Sequence, residues 1–245
     1  MKTSLSVNLN KIALLRNQRR SDDPSILDAA RAAISAGADG ITVHPRPDER
    51  HVRFADVRDL GTLIEDELRG AVELNVEGYP SRDFLRLVLD VVPTQVTLVP
   101  DAPDQATSDH GWNLAAEGTW LTSVVCDLAA AGIRVSLFVE PDEAVMSAAK
   151  SVGAHRIELY TGPYARAFDA GAHAEVLTDY RAAADAALAN GLGVNAGHDL
   201  ALANLPAFKH GVPMVAEVSI GQALIADALR LGLSAAVRAY RQAVA

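Results

Sequence analysis

The chain reads as a closed (β/α)8 barrel, and three observations predict it. A short unit recurs: a helix, a glycine stop, an apolar strand and a polar group where the strand ends. It is seen in Ala36-Gly37-Ala38-Asp39-Gly40-Ile41-Thr42-Val43-His44-Pro45-Arg46 and again around Gly132, Gly153 and Gly191. Eight strand–helix alternations can be counted, which implies parallel strands joined by right-handed crossovers. The 245 residues match the length of one such barrel. No Pro/Gly/Ser linker or break in composition divides the chain, so a single domain over 1–245 is expected. An open doubly wound sheet is the rival architecture. It is disfavoured because no G-x-G-x-x-G follows the first strand.

Strands are expected near 4–9, 40–44, 71–75, 95–99, 133–139, 155–160, 192–196 and 214–219. Helices are expected near 24–36, 56–68, 81–91, 115–131, 141–151, 172–190, 200–208 and 221–231, with a last amphipathic helix at about 233–244. Asp22 and Asp23 before Pro24 mark the first helix, since proline suits a first helical turn. Gly37 fits the left-handed position just past that helix. Ile41-Thr42-Val43 is a β-branched run of the kind covered on both faces, and Pro45 ends it because proline cannot donate to a sheet ladder. In helix 172–190, Val176, Leu177, Tyr180, Ala184, Ala187 and Leu188 form one apolar stripe suited to packing on a sheet. The connections over 100–118 and 161–171 are too long to be turns. Both follow strands, so both are lid candidates over the catalytic face.

Composition narrows the partners. Acidic residues outnumber basic ones 31 to 22, a formal charge of −9, which argues against nonspecific binding to nucleic acid or an anionic membrane. No apolar run approaches the ~20 residues of a membrane span, and the start of the chain carries no signal-peptide core. A soluble cytoplasmic protein is expected. Cys126, the one cysteine, can form no intrachain disulfide and is read as a packed thiol among Val124, Val125 and Leu128.

Chemistry is expected at the strand C-termini, where such barrels place it. Those ends offer Asn8 and Asn10, His44 and Arg46, Asn75 and Glu77, Glu158 and Tyr160, Asn195 and His198, and Ser219 and Gln222. Two imidazoles and two carboxylates from separate strands suit general acid–base work near neutral pH. A divalent metal held by these groups is the competing reading, but no helical His pair or cysteine cluster supports it, and no metal is assigned. His110, His155, His173 and His210 are read as surface residues. Lys11, Arg16, Arg19, Arg20, Arg46, Arg50 and Arg53 follow the first two strands. In an acidic protein so dense a basic group favours phosphate capture, because a guanidinium offers donors in a fixed fork. Gly221, opening the helix after strand eight, adds backbone N–H groups where barrels often hold phosphate.

Residues 7–19, 37–46, 74–77, 135–138 and 194–198 together resemble pyridoxine 5′-phosphate synthase, over nearly the whole chain. The resemblance implies a (β/α)8 barrel with extra helices, a homo-oligomer (an octamer in the family), and no metal or organic cofactor. It implies condensation of 1-deoxy-D-xylulose 5-phosphate with 3-amino-2-oxopropyl phosphate, closing the pyridine ring of vitamin B6. By the same resemblance His44 and Glu77 are proton acceptors, His198 a proton donor and Glu158 a transition-state stabiliser. Arg46, His51 and Thr107 would bind the deoxyxylulose phosphate, and Asn8 and Arg19 the aminoketone phosphate. The chain departs from the family at Asn10-Lys11 (Asp-His in the family), Asp199 (Gly), Gln222 (His) and Tyr160 (His). These departures gather at substrate-contacting positions. A paralogue condensing a different aminocarbonyl compound, or a non-catalytic barrel that binds a phosphorylated metabolite, are the alternatives.

Overall fold

In the computed structural model, which describes residues 2–19, 21–68, 70–102, 105 and 107–245, eight parallel strands close into a barrel in chain order. The order is β1 (Ser4–Asn8), α1 (Asn10–Asn17), α2 (Ile26–Ser35), β2 (Gly40–Val43), α3 (Phe54–Thr62) running into a π-turn (Leu63–Glu67), and β3 (Glu73–Gly78). Then come α4 (Arg82–Val91), β4 (Gln95–Leu98), α5 (Leu114–Ala130), β5 (Arg134–Val139), a 3₁₀ turn (Glu143–Val145) leading into α6 (Met146–Val152), and β6 (Arg156–Leu159). The chain continues through α7 (Gly162–Asp169), α8 (His173–Ala189), β7 (Gly193–Gly197), α9 (Leu205–Gly211), β8 (Glu217–Ile220), α10 (Gln222–Leu231) and α11 (Leu233–Ala243). Closure is made by β1 against β8, with Ser4 opposite Glu217 and Val7 opposite Ile220.

Side chains alternate across each strand. Leu5, Val7, Ile41, Val43, Leu74 and Val76 are buried with the apolar faces of the helices. The alternate positions point into the barrel, and here they are polar. Asn195 on β7 donates to the Gln95 carbonyl on β4, 3.4 Å away across the interior. Ser6, Thr42, Asn75 and Thr97 form a hydrogen-bonded girdle, with Ser6 Oγ 2.6 Å from Thr42 Oγ1 and Thr97 donating to Asn75 at 3.0 Å. Beneath it Arg134 pairs with Glu73, and Arg156 donates to Glu217 at 3.0 Å.

All eight expected strands are present, with boundaries moved by a few residues. Two helices are additional. α1 occupies a basic stretch, and α7 occupies 161–171, so the second lid candidate is corrected to a helix. Tyr164 in α7 is fully buried and donates to the Asn204 carbonyl at 2.7 Å, which fixes the segment. The first helix starts later than expected, because Ser25 rather than Pro24 marks its edge: the Ser25 hydroxyl accepts from the Asp28 N–H at 3.2 Å. Leu188 is 41% exposed and leaves the expected α8 stripe, while Tyr180, Ala184 and Ala187 are buried, Val176 and Leu177 pack against the core, and Ala183 joins them. Cys126 is corrected as well. It lies on the solvent side of α5 and is exposed. His173 is partly buried against Tyr164 and Phe168, not on the surface. Among the described residues, no helix is long and apolar enough to cross a membrane.

Candidate active site

At the C-terminal ends of the strands the interior opens into a cavity of about 290 Å³. His44 follows β2, Glu77 lies near the end of β3, Glu158 lies in β6, and His198 follows β7. All four line the cavity. His44 Nδ1 stands 3.9 Å from Glu77 Oε2, and the Asn8 amide donates to that same oxygen at 3.5 Å. Asn10 accepts the His44 backbone N–H at 2.8 Å, and its own N–H is accepted by the Asn8 side chain at 3.0 Å. The backbone at His44 is thereby tied to the start of α1, which Asn8 at the end of β1 holds in turn. His198 sits with its ring centre 6.4 Å from that of Phe138, and its Nε2 is 2.6 Å from the Thr107 hydroxyl.

Burial dominates the electrostatics. It lowers His44 well below the usual imidazole value, with the Arg46 charge acting the same way. His51 falls to about 4 for the same first reason. His198 is also lowered by burial, against the opposing pull of Asp199 and Asp101. Glu77 is pushed up to about 8 by burial and then by the nearby Asp101 and Glu217 carboxylates. Glu158 is raised well above the carboxylate range by burial and by Glu77. At neutral pH the resting site therefore holds neutral imidazoles beside protonated carboxyls. Such a set is uncharged at rest, with imidazoles free to accept protons and carboxyls able to give them.

The same cavity is lined by Asn8, Asn10, Lys11, Arg46, His51, Thr107, Asp199, Gly221 and Gln222. Arg19 does not line it. It is exposed, two residues beyond the end of α1. The basic group is also less free than its density suggested. Arg16 forks onto Asp56 at 2.6 and 2.9 Å, Arg46 pairs with buried Asp101 at 2.5 Å, Arg50 pairs with Asp48, and Arg53 donates to Asn17. Arg20 lies outside the described residues.

Sequence reasoning missed Asp101 and Ser108. The Ser108 hydroxyl donates to Asp101 at 2.7 Å, and the Gln105 backbone carbonyl accepts from Arg46 at 2.7 Å, so Asp101, Gln105 and Ser108 are linked around Arg46. An acidic residue directly after Val99-Pro100, at a strand end, was the available signal. Among the described residues no group of three His, Cys, Asp or Glu side chains is placed to hold a metal ion.

The comparisons with known proteins agree along the whole length. The family model for "Pyridoxal phosphate biosynthesis protein PdxJ" matches residues 5–245. A pyridoxine 5′-phosphate synthase from Allorhizobium ampelinum is 56% identical, over 99% of this chain and 98% of its own. Those of Chelativorans sp. and Brucella abortus are 53% and 52% identical, over 99% and 100% of both chains. Among solved structures, a thiamine phosphate pyrophosphorylase from Pyrococcus furiosus aligns with TM-score 0.62 at 13% identity, covering 99% of this chain and 95% of that one. Mycobacterium tuberculosis tryptophan synthase aligns with TM-score 0.63 at 17% identity, covering 99% and 93%. Those two likenesses speak for the barrel alone. Identity above one half along the entire chain, with a family match beginning in β1 and ending at the last residue, says more: the chain belongs to the pyridoxal phosphate biosynthesis protein PdxJ family.

Proposed function

We propose that this chain condenses 1-deoxy-D-xylulose 5-phosphate with 3-amino-2-oxopropyl phosphate, closing the pyridine ring of pyridoxine 5′-phosphate and releasing phosphate and water. The observation that carries the reading is the convergence of His44, Glu77, Glu158 and His198 on one cavity that Lys11, Arg46 and the start of α10 also line. Imine formation, dehydration and ring closure each move protons, and proton transfer needs groups within hydrogen-bond reach or one bridging water.

In this reading His44, a neutral imidazole 3.9 Å from Glu77, accepts a proton from substrate. Glu77 is poised near neutrality. An arriving ammonium group favours its carboxylate form, so substrate binding itself readies it as a base. His198, neutral at rest, takes up a proton released earlier in the condensation and then returns it to the departing group, and Glu158 supports the charge that develops between them. Lys11, Arg46, His51 and the N–H groups opening α10 take the phosphates. Gly221 leaves room there, because a Cβ would come within 3.2 Å of the Asn8 side chain. A homo-oligomeric, cytoplasmic enzyme built as one domain is part of the proposal. Light scattering of purified protein checks the assembly.

The test of the reaction is incubation of the purified protein with both phosphates and detection of pyridoxine 5′-phosphate. Asp199, an exposed carboxylate on the cavity wall, favours the second reading, in which the amino substrate differs. Turnover with 3-amino-2-oxopropyl phosphate at an ordinary synthase rate sets that reading aside. No product with this pair, but product with another aminocarbonyl compound, establishes it.

A further inference from the structure

His198 has φ +64, a region that non-glycine residues occupy rarely and hold only where their surroundings enforce it. The Asp199 N–H donates to the Gly197 carbonyl at 2.9 Å, so His198 is the centre of a three-residue γ-turn of the rare positive-φ kind. What enforces this turn lies on the neighbouring strand. Thr161, fully buried just past β6, donates its hydroxyl to the Gly197 carbonyl and accepts the Asp199 N–H at 3.4 Å. One hydroxyl therefore bridges the backbone on both sides of His198.

Thr161 occupies the N-cap of α7, where a threonine oxygen ordinarily accepts from its own helix. Here the side chain makes no cap bond. The hydroxyl is turned sideways, away from α7 and onto the turn after β7. The α7 N-terminus is left without that stabilisation while the His198 turn receives it.

From this we infer that Thr161 is a positioning residue for the reaction. Its hydroxyl sets the strained turn that aims the His198 imidazole into the cavity, and it touches no substrate itself. The inference rests on the reading of His198 as a proton-transfer group. It also explains why the chain turns so abruptly here. Gly197 admits no Cβ, since one would collide with the Ser219 carbonyl, so β7 presses against β8 up to the last residue before His198. The His198 N–H then donates to that same carbonyl at 3.2 Å. Two strands and one hydroxyl over-determine the backbone of a single histidine.

The test is steady-state kinetics of Thr161→Val, Thr161→Ser and His198→Asn, with the double variant Thr161→Val/His198→Asn. Thr161→Val keeps the shape and removes the hydroxyl. Misplacing a catalytic group by about 1 Å costs on the order of 10²-fold. We expect kcat to fall by roughly that factor while KM for both substrates stays within about threefold. Thr161→Ser should recover most of the rate. In the His198→Asn background, Thr161→Val should cost little more, because residues acting as one unit are non-additive. Unchanged kcat in Thr161→Val overturns the inference, as does equal loss in the Ser and Val variants. Should Thr161→Val fail to fold, Thr161→Ala takes its place, and failure of both assigns Thr161 to stability alone, which also overturns it. Full activity of His198→Asn refutes the reading of His198 whatever Thr161 does, so the two failures are separable.

Discussion

The barrel interior has two ends built on the same strands with opposite electrostatic logic. At the N-terminal end Arg134 pairs with Glu73, and Arg156 donates to both Glu217 and Asn195 at 3.0 and 3.1 Å. Every arginine there has its carboxylate. At the C-terminal end, two residues further along β3 and β6, Glu77 follows Asn75 and Glu158 follows Arg156. Among the described residues no arginine or lysine forms an ion pair with Glu77 or Glu158. Burial raises the carboxyls at both ends, and what differs is the direct partner. Glu217 rises to about 7 with Arg156 bonded to it, Glu77 to about 8 with the Arg46 charge nearby but not paired to it, and Glu158 well above its usual range. Compensated charge supports the fold, and uncompensated charge is what a proton-transfer site needs. In barrels generally the first belongs at the bottom and the second at the top.

The largest effect should separate the two ends by rate. Glu77→Gln and His198→Asn are each expected to lower kcat by about 10²–10⁴-fold, the usual contribution of a general acid–base group. Glu217→Gln, in the same interior but below the girdle, should change kcat by less than about tenfold. Equal losses in Glu77→Gln and Glu217→Gln, measured as single-substrate-saturated turnover, would erase the distinction.

The next contrast uses the two buried ion pairs, one at each end. Arg156→Met strands Glu217 and Arg46→Met strands Asp101, both carboxylates nearly without solvent access. Removing one partner of a buried pair costs about 3–5 kcal/mol, so both variants should lose comparable stability in urea unfolding. Only Arg46→Met should also raise KM for the phosphorylated ketose, by about tenfold or more, since Arg46 alone of the two lines the cavity. A KM effect in Arg156→Met would mean that the lower network shapes the upper site.

Much of this division was legible in the sequence, and the illegible part has physical reasons. Glycine-bounded apolar runs gave the strands after Gly37, Gly132, Gly153 and Gly191, the strand–helix alternation gave the other four, and polar residues at the strand ends placed His44, Glu77, Glu158 and His198 at one face. Charge pairing did not show, because Arg156 and Glu217 are 61 residues apart and Arg46 and Asp101 are 55 apart, and only the register brings them together. For that reason a dense basic cluster read as free phosphate ligands, when most of its guanidiniums are already engaged. The exposed position of Arg19 past the end of α1 was not legible, because α1 went unrecognised in a stretch whose Lys11 and Arg16 looked like a loop. The stretch 161–171 read as a lid candidate, although Pro163 in its first turn marks a helix start. The backbone angle of His198 had no signal at all, since the groups that enforce it, the Thr161 hydroxyl past β6 and the Ser219 carbonyl on β8, lie far off in the sequence.

The smallest effect is also the most direct reading of the uncompensated end, because it follows one proton. An unfolded chain ionises Glu77 near its ordinary value of 4.5, while the folded protein holds the proton up to about 8. Below pH 4.5 both states are protonated and the group contributes no pH dependence. Between about 4.5 and 8 the unfolded chain gives up a proton that the folded chain keeps. Stability therefore falls with rising pH by up to ~1.4 kcal/mol for each unit of the window, and above 8 the loss levels off. His44 works in the opposite sense and lower down, since its lowered value destabilises the fold as pH drops through the ordinary imidazole range. Glu77→Gln carries no proton to lose. Whatever fixed gain or loss the amide brings is independent of pH, so the difference between variant and wild type isolates the carboxyl. That difference should shift in favour of Glu77→Gln between pH 5 and pH 8, by at least the ~1.4 kcal/mol of a single unit. For a chain of this size that is a relative Tm gain of at least about 3–6 °C. Parallel Tm curves across the range would mean that Glu77 is already ionised in the resting fold. The upper end of the barrel would then be compensated after all, and Glu77 would begin the reaction as a base without needing the substrate's charge.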